Sequence, residues 1–307
     1  MKKTRKIRRV LKSRPTVEGA GVYLRRGFAW SEVPQFDPFL LFDDFRQDNP
    51  ELYLPGFPWH PHRGIETITY MIRGTAEHGD SMGNKGVIGP GDVQWMTAGS
   101  GIIHQEMPKG DQDGRMGGFQ LCANLPASQK MMDPRYRDVK RADIPEVELP
   151  GGARVRIICG RVGKTEGPVR DIVIDPEYLD VTLPPGASFT HPTKSGHTAI
   201  AYVFEGKGTF GGETDPSAYK SEGAGYFDFE RGSCLEDHSV VLFEDGAELS
   251  AAAARDSGFR FLLMSGKPLG EPVAWRGPIV MNTDKELETA FREYRNGTFI
   301  KRSKART

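Results

Sequence analysis

The stretch that decides the fold contains paired metal-binding side chains. It reads Trp59-His60-Pro61-His62-Arg63-Gly64-Ile65-Glu66, and about forty residues later the chain continues Gly101-Ile102-Ile103-His104-Gln105-Glu106. Alternate side chains of a strand share one face, so His60 and His62 point the same way. His104 and Glu106 repeat that two-residue spacing. The sequence therefore predicts two strands that each present a pair of potential metal ligands.

Two carboxylates accompany the three histidines. Glu66 lies four residues after His62 in the β-rich run 65–72, so a continuing strand would place it on the same face. Imidazoles with a carboxylate and no thiolate suit Fe(II), Mn(II), Ni(II) or Zn(II), and four protein ligands leave open positions on a metal that prefers six. Open positions indicate chemistry or ligand binding instead of a closed structural site. For one His-x-His pair alone, two histidines on a solvent-facing strand would be an equal alternative.

The rest of the chain is rich in short strands. Residues 19–142 show β-type runs broken by Gly, Pro and Asn turns, with little helical periodicity, which is typical of a β-sandwich or barrel. A linker is predicted at residues 143–152, and a second β-rich stretch follows at residues 153–265. We therefore expect an all-β fold with two tandem barrels, of which the first binds the metal.

An internal repeat supports two copies of one barrel. Tyr70-Met71-Ile72-Arg73-Gly74 aligns with Tyr202-Val203-Phe204-Glu205-Gly206, and His60-Pro61-His62 aligns with His191-Pro192-Thr193 if one residue is inserted. In the second copy Thr193 and Thr198 replace His62 and Glu66, and no histidine stands where His104 would fall. The second barrel is therefore predicted to be metal-free, and the remaining histidines are interpreted as surface or supporting residues: His78, His191, His197 and His238.

Charge is distributed unevenly over the 307 residues. The 41 basic and 41 acidic residues balance, which gives no reason to expect direct nucleic-acid binding. Twelve of the basic residues lie within residues 1–14 and 301–307. The basic arm, residues 1–18, is interpreted either as a solvated segment that begins a strand or as a docking or nuclear-targeting patch.

Targeting and redox signals are sparse. The sequence has neither the apolar core of a secretory signal nor an apolar run long enough to span a membrane. Its three cysteines, Cys122, Cys159 and Cys234, are odd in number and widely separated, which argues against a disulfide framework. We therefore expect a cytoplasmic monomer without membrane association, or a nuclear location if the source is eukaryotic.

One helix is predicted near the C-terminus, within a return segment at residues 266–307. Thr283-Asp284-Lys285-Glu286 has the pattern of a capping box. The apolar residues that follow lie on one helical face, and Gly297 supplies the stop: Leu287, Ala290, Phe291 and Tyr294. We expect an amphipathic helix over residues 284–296 that packs against the molecule, with a partner-binding helix as the alternative.

Longer motifs surround these features. They are Asp37-Pro38-Phe39-Leu40-Leu41-Phe42-Asp43-Asp44-Phe45, Pro58-Trp59-His60-Pro61-His62-Arg63-Gly64-Ile65-Glu66-Thr67, Gly91-Asp92-Val93-Gln94-Trp95-Met96-Thr97-Ala98-Gly99, Gly101-Ile102-Ile103-His104-Gln105-Glu106-Met107-Pro108 and Gly277-Pro278-Ile279-Val280-Met281-Asn282-Thr283. With them the chain resembles the pirin family of the cupin superfamily over about residues 20–300. The resemblance implies a bicupin, that is, two tandem cupin barrels, with a C-terminal helix that packs back across the molecule.

The resemblance also implies a ligand set. Typical cupins take their acidic ligand from the position of Glu66, whereas pirins take it from the position of Glu106. The implied ligands of one divalent metal per chain are therefore His60, His62, His104 and Glu106. Fe(II) is the first expectation for the metal, with Mn, Ni and Zn as alternatives. Glu66 is then expected beside the ligands, as a partner of a coordinated histidine.

Apolar side chains near these ligands in the sequence predict a pocket for a flat aromatic substrate, unless they belong to the core. They are Phe57, Trp59, Met71, Trp95 and Met96. Arg63 is expected either to orient an anionic ligand or to pair with a carboxylate, namely Asp43, Asp44 or Glu66.

Similarity to pirins implies two classes of function. The first is a quercetin 2,3-dioxygenase, which uses O₂ to cleave flavonols such as quercetin and in which Glu106 would be both ligand and base. The second is a non-enzymatic metal-binding regulator that docks on transcription factors or metabolic enzymes. An isomerase or other sugar enzyme is a third reading, because cupins support many activities.

Overall fold

The chain forms two compact units. The computed structural model describes residues 3–212, 215, 219–222 and 233–301. The first unit comprises residues 15–141 and 269–307, and the second comprises residues 1–14 and 142–268. Each unit is built from β-sheets, and the described residues contain a single α-helix, Asp284–Arg295. The predicted fold class, all-β with one C-terminal helix, is confirmed.

The first unit contains two main sheets. The strands of its seven-stranded sheet lie in the order Arg135–Val139, Val93–Thr97, Ile65–Arg73, Gly117–Asn124, Phe39–Asp44, Val22–Phe28 and Arg14–Glu18. Those of its four-stranded sheet lie in the order Phe57–His62, Ile102–Lys109, Thr75–Asp80 and Lys85–Ile88. A two-stranded sheet joins Ala274–Arg276 to Ile279–Met281, and short 3₁₀ turns occupy Trp30–Glu32, Pro50–Leu52 and Arg141–Asp143.

The second unit is organised around one eleven-stranded sheet. Its main path runs Glu146–Glu148, Arg154–Cys159, Glu177–Leu183, Phe259–Gly266, Thr198–Phe210, Ser239–Phe243, Ile7–Lys12 and Lys220–Glu222. Three further strands branch from this path: Ser188–Pro192, Glu248–Ala253 and Leu235–Glu236. Arg161–Val162 and Thr165–Glu166 form a separate hairpin. A core of buried valine, leucine, isoleucine and phenylalanine side chains fills the unit.

The internal repeat of the sequence corresponds to equivalent strands. Ile65–Arg73 and Thr198–Phe210 each lie inside a sheet and hold the aligned tyrosines, Tyr70 and Tyr202, both buried. The aligned glycine after each tyrosine has a positive φ, 63° at Gly74 and 71° at Gly206. A Cβ at Gly206 would lie 1.9 Å from the Gly258 carbonyl oxygen, so that close approach requires glycine.

The basic arm expected at residues 1–18 contains two strands. Ile7–Lys12 pairs antiparallel with Ser239–Phe243 in the second unit, and Ile7, Val10 and Leu11 are buried. Arg5 is only 1% exposed and donates hydrogen bonds to three backbone carbonyls of the same unit. The expectation that the arm begins a strand is confirmed, but Arg5 and the apolar side chains of that strand are buried and not solvated. Residues 302–307, which hold most of the C-terminal basic tail, lie outside the described residues.

The segment expected to be a linker, residues 143–152, is also structured in part. Glu146–Glu148 pairs antiparallel with Arg154–Cys159 at the edge of the second unit's sheet. Its flanking prolines gave the segment the composition of a linker, but proline is tolerated at an edge strand. The three cysteines are free thiols, and Cys122 and Cys159 are buried.

The C-terminal helix begins with the predicted capping box. Thr283 accepts a hydrogen bond from the Glu286 backbone N–H, and the Glu286 carboxylate accepts from the Thr283 N–H. Leu287 and Ala290 are buried in a small core with Phe299. The helix is 12 residues long, and no helix in the described part of the chain has the length and apolarity that crossing a membrane would need.

Arg63 ties the C-terminal segment to the rest of the first unit. Its guanidinium forms an ion pair with Glu293 at 2.8 Å and donates to the carbonyls of Ser100 and Phe299. The expected partners, Asp43 and Asp44, instead pair with Arg26 and Arg46. Sequence reasoning missed Glu293 because it is 230 residues from Arg63.

The packing of the helix predicts a strong effect of truncating its apolar face. Leu287→Ala should destabilise the protein by about 2–4 kcal/mol because it leaves a cavity in a buried cluster. Glu288→Ala, a change on the exposed face of the same turn, is the matched control. Urea denaturation followed by circular dichroism measures both. Equal midpoints for the two variants would show that the helix is a free recognition element.

Candidate metal centre

Three imidazoles converge on one face of the four-stranded sheet. His60 and His104 are directly opposite one another on neighbouring strands, and His62 is opposite Ile102. Each histidine offers a ring nitrogen, and the three nitrogens all lie within 4.8 Å of one another. The strand that carries His60 and His62 is therefore adjacent and antiparallel to the strand that carries His104 and Glu106.

Backbone carbonyls orient two of the rings. His60 Nδ1 lies 2.8 Å from the Pro58 oxygen, and His62 Nδ1 lies 3.1 Å from the Pro278 oxygen. A carbonyl only accepts, so each Nδ1 carries the proton and each Nε2 keeps its lone pair. The two Nε2 atoms face each other at 3.0 Å. In metal sites, a histidine ligand usually donates its other ring N–H in this way, which fixes its tautomer and the orientation of its ring.

His104 is the third ring and has an unusual environment. It is 2% exposed, and among the described residues neither of its ring nitrogens has a hydrogen-bond partner. Burial and the neighbouring His62 and His60 lower its pKa well below the ordinary value. Burial and His60 likewise lower the pKa of His62 to about 3. Neutral imidazoles with lone pairs directed at a common point fit a divalent transition metal.

Glu106 lies beside this group but outside it. Its Oε1 accepts a hydrogen bond from the Thr69 hydroxyl at 2.9 Å. It lines the same cavity as the three histidines, on the strand that carries His104. A carboxylate is therefore available next to the imidazoles, with one oxygen held by Thr69.

Glu66 faces away from the histidines, contrary to the expectation of a continuing strand. Gly64, with φ 79°, separates the strands Phe57–His62 and Ile65–Arg73, so the alternation restarts after His62. Ile65 and Thr69 line the cavity, and Glu66, an odd number of residues from both, lies on the opposite face. Its carboxylate accepts hydrogen bonds from Trp95 Nε1 and Thr97 Oγ1. Burial raises its pKa, and these two hydrogen bonds oppose that rise.

A cavity of about 550 Å³ opens onto the three histidines. Of the five side chains expected around a substrate, Phe57 and Trp59 line it. Met71, Trp95 and Met96 are instead buried in the core and are not part of the wall. Sequence proximity to the ligands was the reason for choosing them. Trp95 lies on the opposite face of its sheet, with Glu66, whereas Met71 and Met96 pack into core clusters.

Two tryptophans of the cavity wall were not predicted. Trp30 and Trp275 stack with ring centroids 4.4 Å apart and planes 11° from parallel, and both line the cavity. Trp30 is 53% exposed, so the stacked pair stands at the solvent side of the wall. The two residues are far apart in the sequence, and no local pattern signals their contact.

Two protein-family models match this chain. The family model named Pirin matches residues 21–122, and the model of the Pirin C-terminal cupin domain matches residues 178–300. The chain belongs to the pirin family. The expected bicupin fold is thereby confirmed.

Close relatives cover nearly the whole of this pirin. A pirin-like protein of Caulobacter vibrioides is 41% identical over 96% of this chain and 99% of its own length. A Pseudomonas aeruginosa protein, provisionally named a quercetin 2,3-dioxygenase, is 40% identical over 92% of this chain and 94% of its own. The crystal structure of quercetin 2,3-dioxygenase from Acinetobacter baumannii is 29% identical with a TM-score of 0.81, and it covers 97% of this chain and 99% of that one.

Next to His104 this pirin holds a buried polar pair, of which the sequence had indicated only that His78 is a surface or supporting residue. His78 and Asp80 lie on the strand Thr75–Asp80, opposite Glu106 and His104 respectively. Both are buried, and the His78 ring centroid is 5.5 Å from that of His104. His78 Nε2 lies 3.4 Å from the Asp80 carboxylate. The two-residue spacing of His78 and Asp80 on a strand was the signal that could have placed them here.

The histidines of the second unit are in a different environment. His191, at the repeat position of His60, is buried with its Nε2 3.1 Å from the Glu177 carboxylate. It is therefore a core residue and not a surface one. Among the described residues, no group of three potential ligands is drawn entirely from 142–268.

The geometry predicts one metal per chain. His62→Ala or His104→Ala should remove most binding, because each deletes an imidazole of the group. His191→Ala is the matched control and should leave the stoichiometry unchanged. Glu106→Gln should weaken binding more than Glu66→Gln, whose carboxylate faces away. Metal analysis after equilibrium dialysis measures all five proteins, and the reverse order of the two glutamines would move the acidic ligand to Glu66.

The lowered pKa values predict how pH affects the metal-free protein. His62 and His104 stay neutral when folded, whereas they protonate near pH 6.5 when unfolded. The unfolded state then binds more protons, so stability should fall as the pH drops from about 6.5 towards 3, by about 1 kcal/mol per pH unit for each histidine. Denaturant titrations of wild type and His62→Gln at several pH values measure this slope. A slope that does not become shallower in the variant would contradict the assignment.

Proposed function

We propose that this pirin is a metal-dependent dioxygenase that cleaves flavonols such as quercetin, a reaction of the quercetin 2,3-dioxygenase type. The observation that carries the proposal is the convergence of three imidazoles on a cavity with aromatic walls. The likeness to the Acinetobacter baumannii quercetin 2,3-dioxygenase supports it. A cavity of about 550 Å³ lies in the range that holds small organic ligands.

In this proposal His60, His62 and His104 would hold one divalent metal, with Fe(II) as the first candidate and Mn, Ni and Zn as alternatives. Glu106 would be the fourth ligand, because it lines the same cavity on the same strand as His104. When bound, the metal supplies a Lewis acid that lowers the pKa of a coordinated hydroxyl, together with a centre for O₂ chemistry. Four protein ligands leave positions open on a six-coordinate metal.

The chain's own residues prepare the substrate for oxidation. Glu106 accepts the proton of the flavonol hydroxyl, since it is the carboxylate of the cavity wall that lies on the strand of His104. The Thr69 hydroxyl donates to Glu106 Oε1 and so limits the orientations of that carboxylate. The carbonyls of Pro58 and Pro278 hold His60 and His62 in the ligating tautomer.

Aromatic side chains provide the surface for a flat substrate. Phe57 and Trp59 lie on the strand of His60 and line the cavity, as do Trp30 and Trp275. Rings of this kind stack on a planar ligand and exclude water from it. Water exclusion strengthens the electrostatic interactions within the site and protects a reactive flavonol anion from reprotonation.

The proposal predicts O₂-dependent loss of flavonol. Fe(II)-loaded wild type should consume O₂ while the quercetin absorbance falls, and metal-stripped protein and His62→Ala should do neither. Glu106→Gln that retains metal should lose kcat by about 10²–10⁴-fold with a smaller change in KM, because general-base catalysis contributes about that much. An oxygen electrode and absorbance spectroscopy follow both reactants. Absence of turnover by fully loaded Fe, Mn and Ni protein with several flavonols would refute the proposal.

A further inference from the structure

A row of polar side chains crosses the cavity wall of the first unit. Thr69 is directly opposite Gln120, Gln120 is opposite Asp43, and Asp43 is opposite Arg26 on four consecutive strands. All four residues line the cavity. Adjacent strands are about 4.8 Å apart, so three intervals extend the row over about 14 Å. We call Thr69, Gln120, Asp43 and Arg26 the polar row.

The polar row starts beside the metal centre and is internally bonded. Thr69 Oγ1 lies 2.9 Å from Glu106 Oε1 and 2.7 Å from the side-chain amide of Gln120. The neighbours are two acceptor oxygens, Glu106 Oε1 and Gln120 Oε1, and a hydroxyl has one proton, so Thr69 donates to one of them at a time. At the far end, Arg26 forms two hydrogen bonds to the Asp43 carboxylate and an ion pair with Glu18.

The polar row interrupts a wall that is otherwise largely apolar. On the strands of Gln120 and Asp43, the next residues that line the cavity are Cys122 and Leu41. On the strands of Thr69 and Arg26, Ile65 and Leu24 line it. Polar groups in such surroundings cost free energy, and a buried ion pair is weak support for stability. A line of donors and acceptors directed into an apolar cavity instead matches the usual design of a small-molecule site.

We propose that the polar row recognises hydroxyl groups on the rings of an aromatic substrate that extend away from the metal centre. The preferred substrates are then flat polyhydroxylated aromatics, bound at one end by the metal and read at the other by Asp43 and Gln120. The inference rests on the proposed function for the placement of the chelating end, and it adds the residues that select among flavonols.

Asp43 has the chemistry for this task. It is 5% exposed, and burial raises its pKa to about 6 while the hydrogen bonds from Arg26 oppose that rise, so the carboxylate is ionised at neutral pH. Each carboxylate oxygen has two lone pairs, and Arg26 uses one on each. The remaining lone pairs accept phenolic O–H groups. A substrate without such groups leaves the charged carboxylate desolvated and unmatched, which is penalised.

Quercetin and 3-hydroxyflavone provide the test, because they share the chelating 3-hydroxy-4-keto group and differ only in ring hydroxyls. Three of the four tryptophans line the cavity, so quenching of their fluorescence under anaerobic conditions reports binding to metal-loaded protein. Wild type should bind quercetin more tightly than 3-hydroxyflavone by about 10- to 100-fold, the range expected for hydrogen bonds to a charged group. We call this ratio of the two affinities the hydroxyl ratio. Asp43→Asn should reduce the hydroxyl ratio to near one.

Asp44→Asn is the matched control. Asp44 is the next residue on the same strand, is equally buried and also pairs with an arginine, Arg46, but it does not line the cavity. Asp44→Asn should keep the hydroxyl ratio of wild type. If Asp43→Asn does not fold, Gln120→Met tests the same row and should also reduce the ratio.

An unchanged ratio in folded Asp43→Asn and Gln120→Met, or a wild type that binds both compounds equally, would overturn the inference. O₂ uptake by wild type with quercetin, measured separately, decides the proposed function. Turnover without hydroxyl discrimination refutes the polar row and leaves the dioxygenase proposal intact. Hydroxyl-dependent binding without turnover supports the row and refutes the dioxygenase, and absence of binding by either compound refutes both.

Discussion

The centre of the first unit depends on two hydrogen bonds from histidine to backbone. The carbonyls of Pro58 and Pro278 accept hydrogen bonds from Nδ1 of His60 and His62. The two Nε2 lone pairs are therefore directed towards one point. His104 joins them with no hydrogen-bond partner within the described chain, and a buried polar group left in that state costs about 1–3 kcal/mol. A metal would remove that cost, so binding and stability are coupled.

The C-terminal segment supplies part of this arrangement. Pro278 orients His62. Further along the same segment, Phe299 provides a carbonyl and a ring face to Arg63, the residue that follows His62. Arg63 also binds the Ser100 carbonyl, just before the strand of His104. The two ligand strands and the segment after residue 269 are therefore joined within one unit. The helix contributes to the site through the ion pair of Arg63 with Glu293, and none of its residues lines the cavity.

Local patterns in the sequence predicted much of the fold and the ligand pairs, because those features depend on short spacings. His60 and His62 share a face, the capping box at Thr283 starts the helix, and the repeat identified two equivalent central strands. Features that depend on a break in periodicity were missed, since Gly64 reverses the face expected for Glu66. Contacts between distant segments were also missed, such as the stack of Trp30 on Trp275. The strand of the basic arm was expected from its apolar residues, but its partner Ser239–Phe243 was not, because the pairing of distant strands has no local signature.

X-ray absorption spectroscopy of Fe(II)-loaded protein tests the central claim most directly, because multiple scattering from imidazole rings counts the histidine ligands of the bound metal. The account predicts three imidazoles together with oxygen ligands in wild type, two around the small amount of iron that His62→Gln retains, and three in His191→Gln. It also predicts that Glu66→Gln leaves the spectrum unchanged, since that carboxylate is bonded to Trp95 and Thr97 on the opposite face. Fewer than three imidazoles in wild type, or a His62→Gln spectrum identical to wild type, would contradict the account.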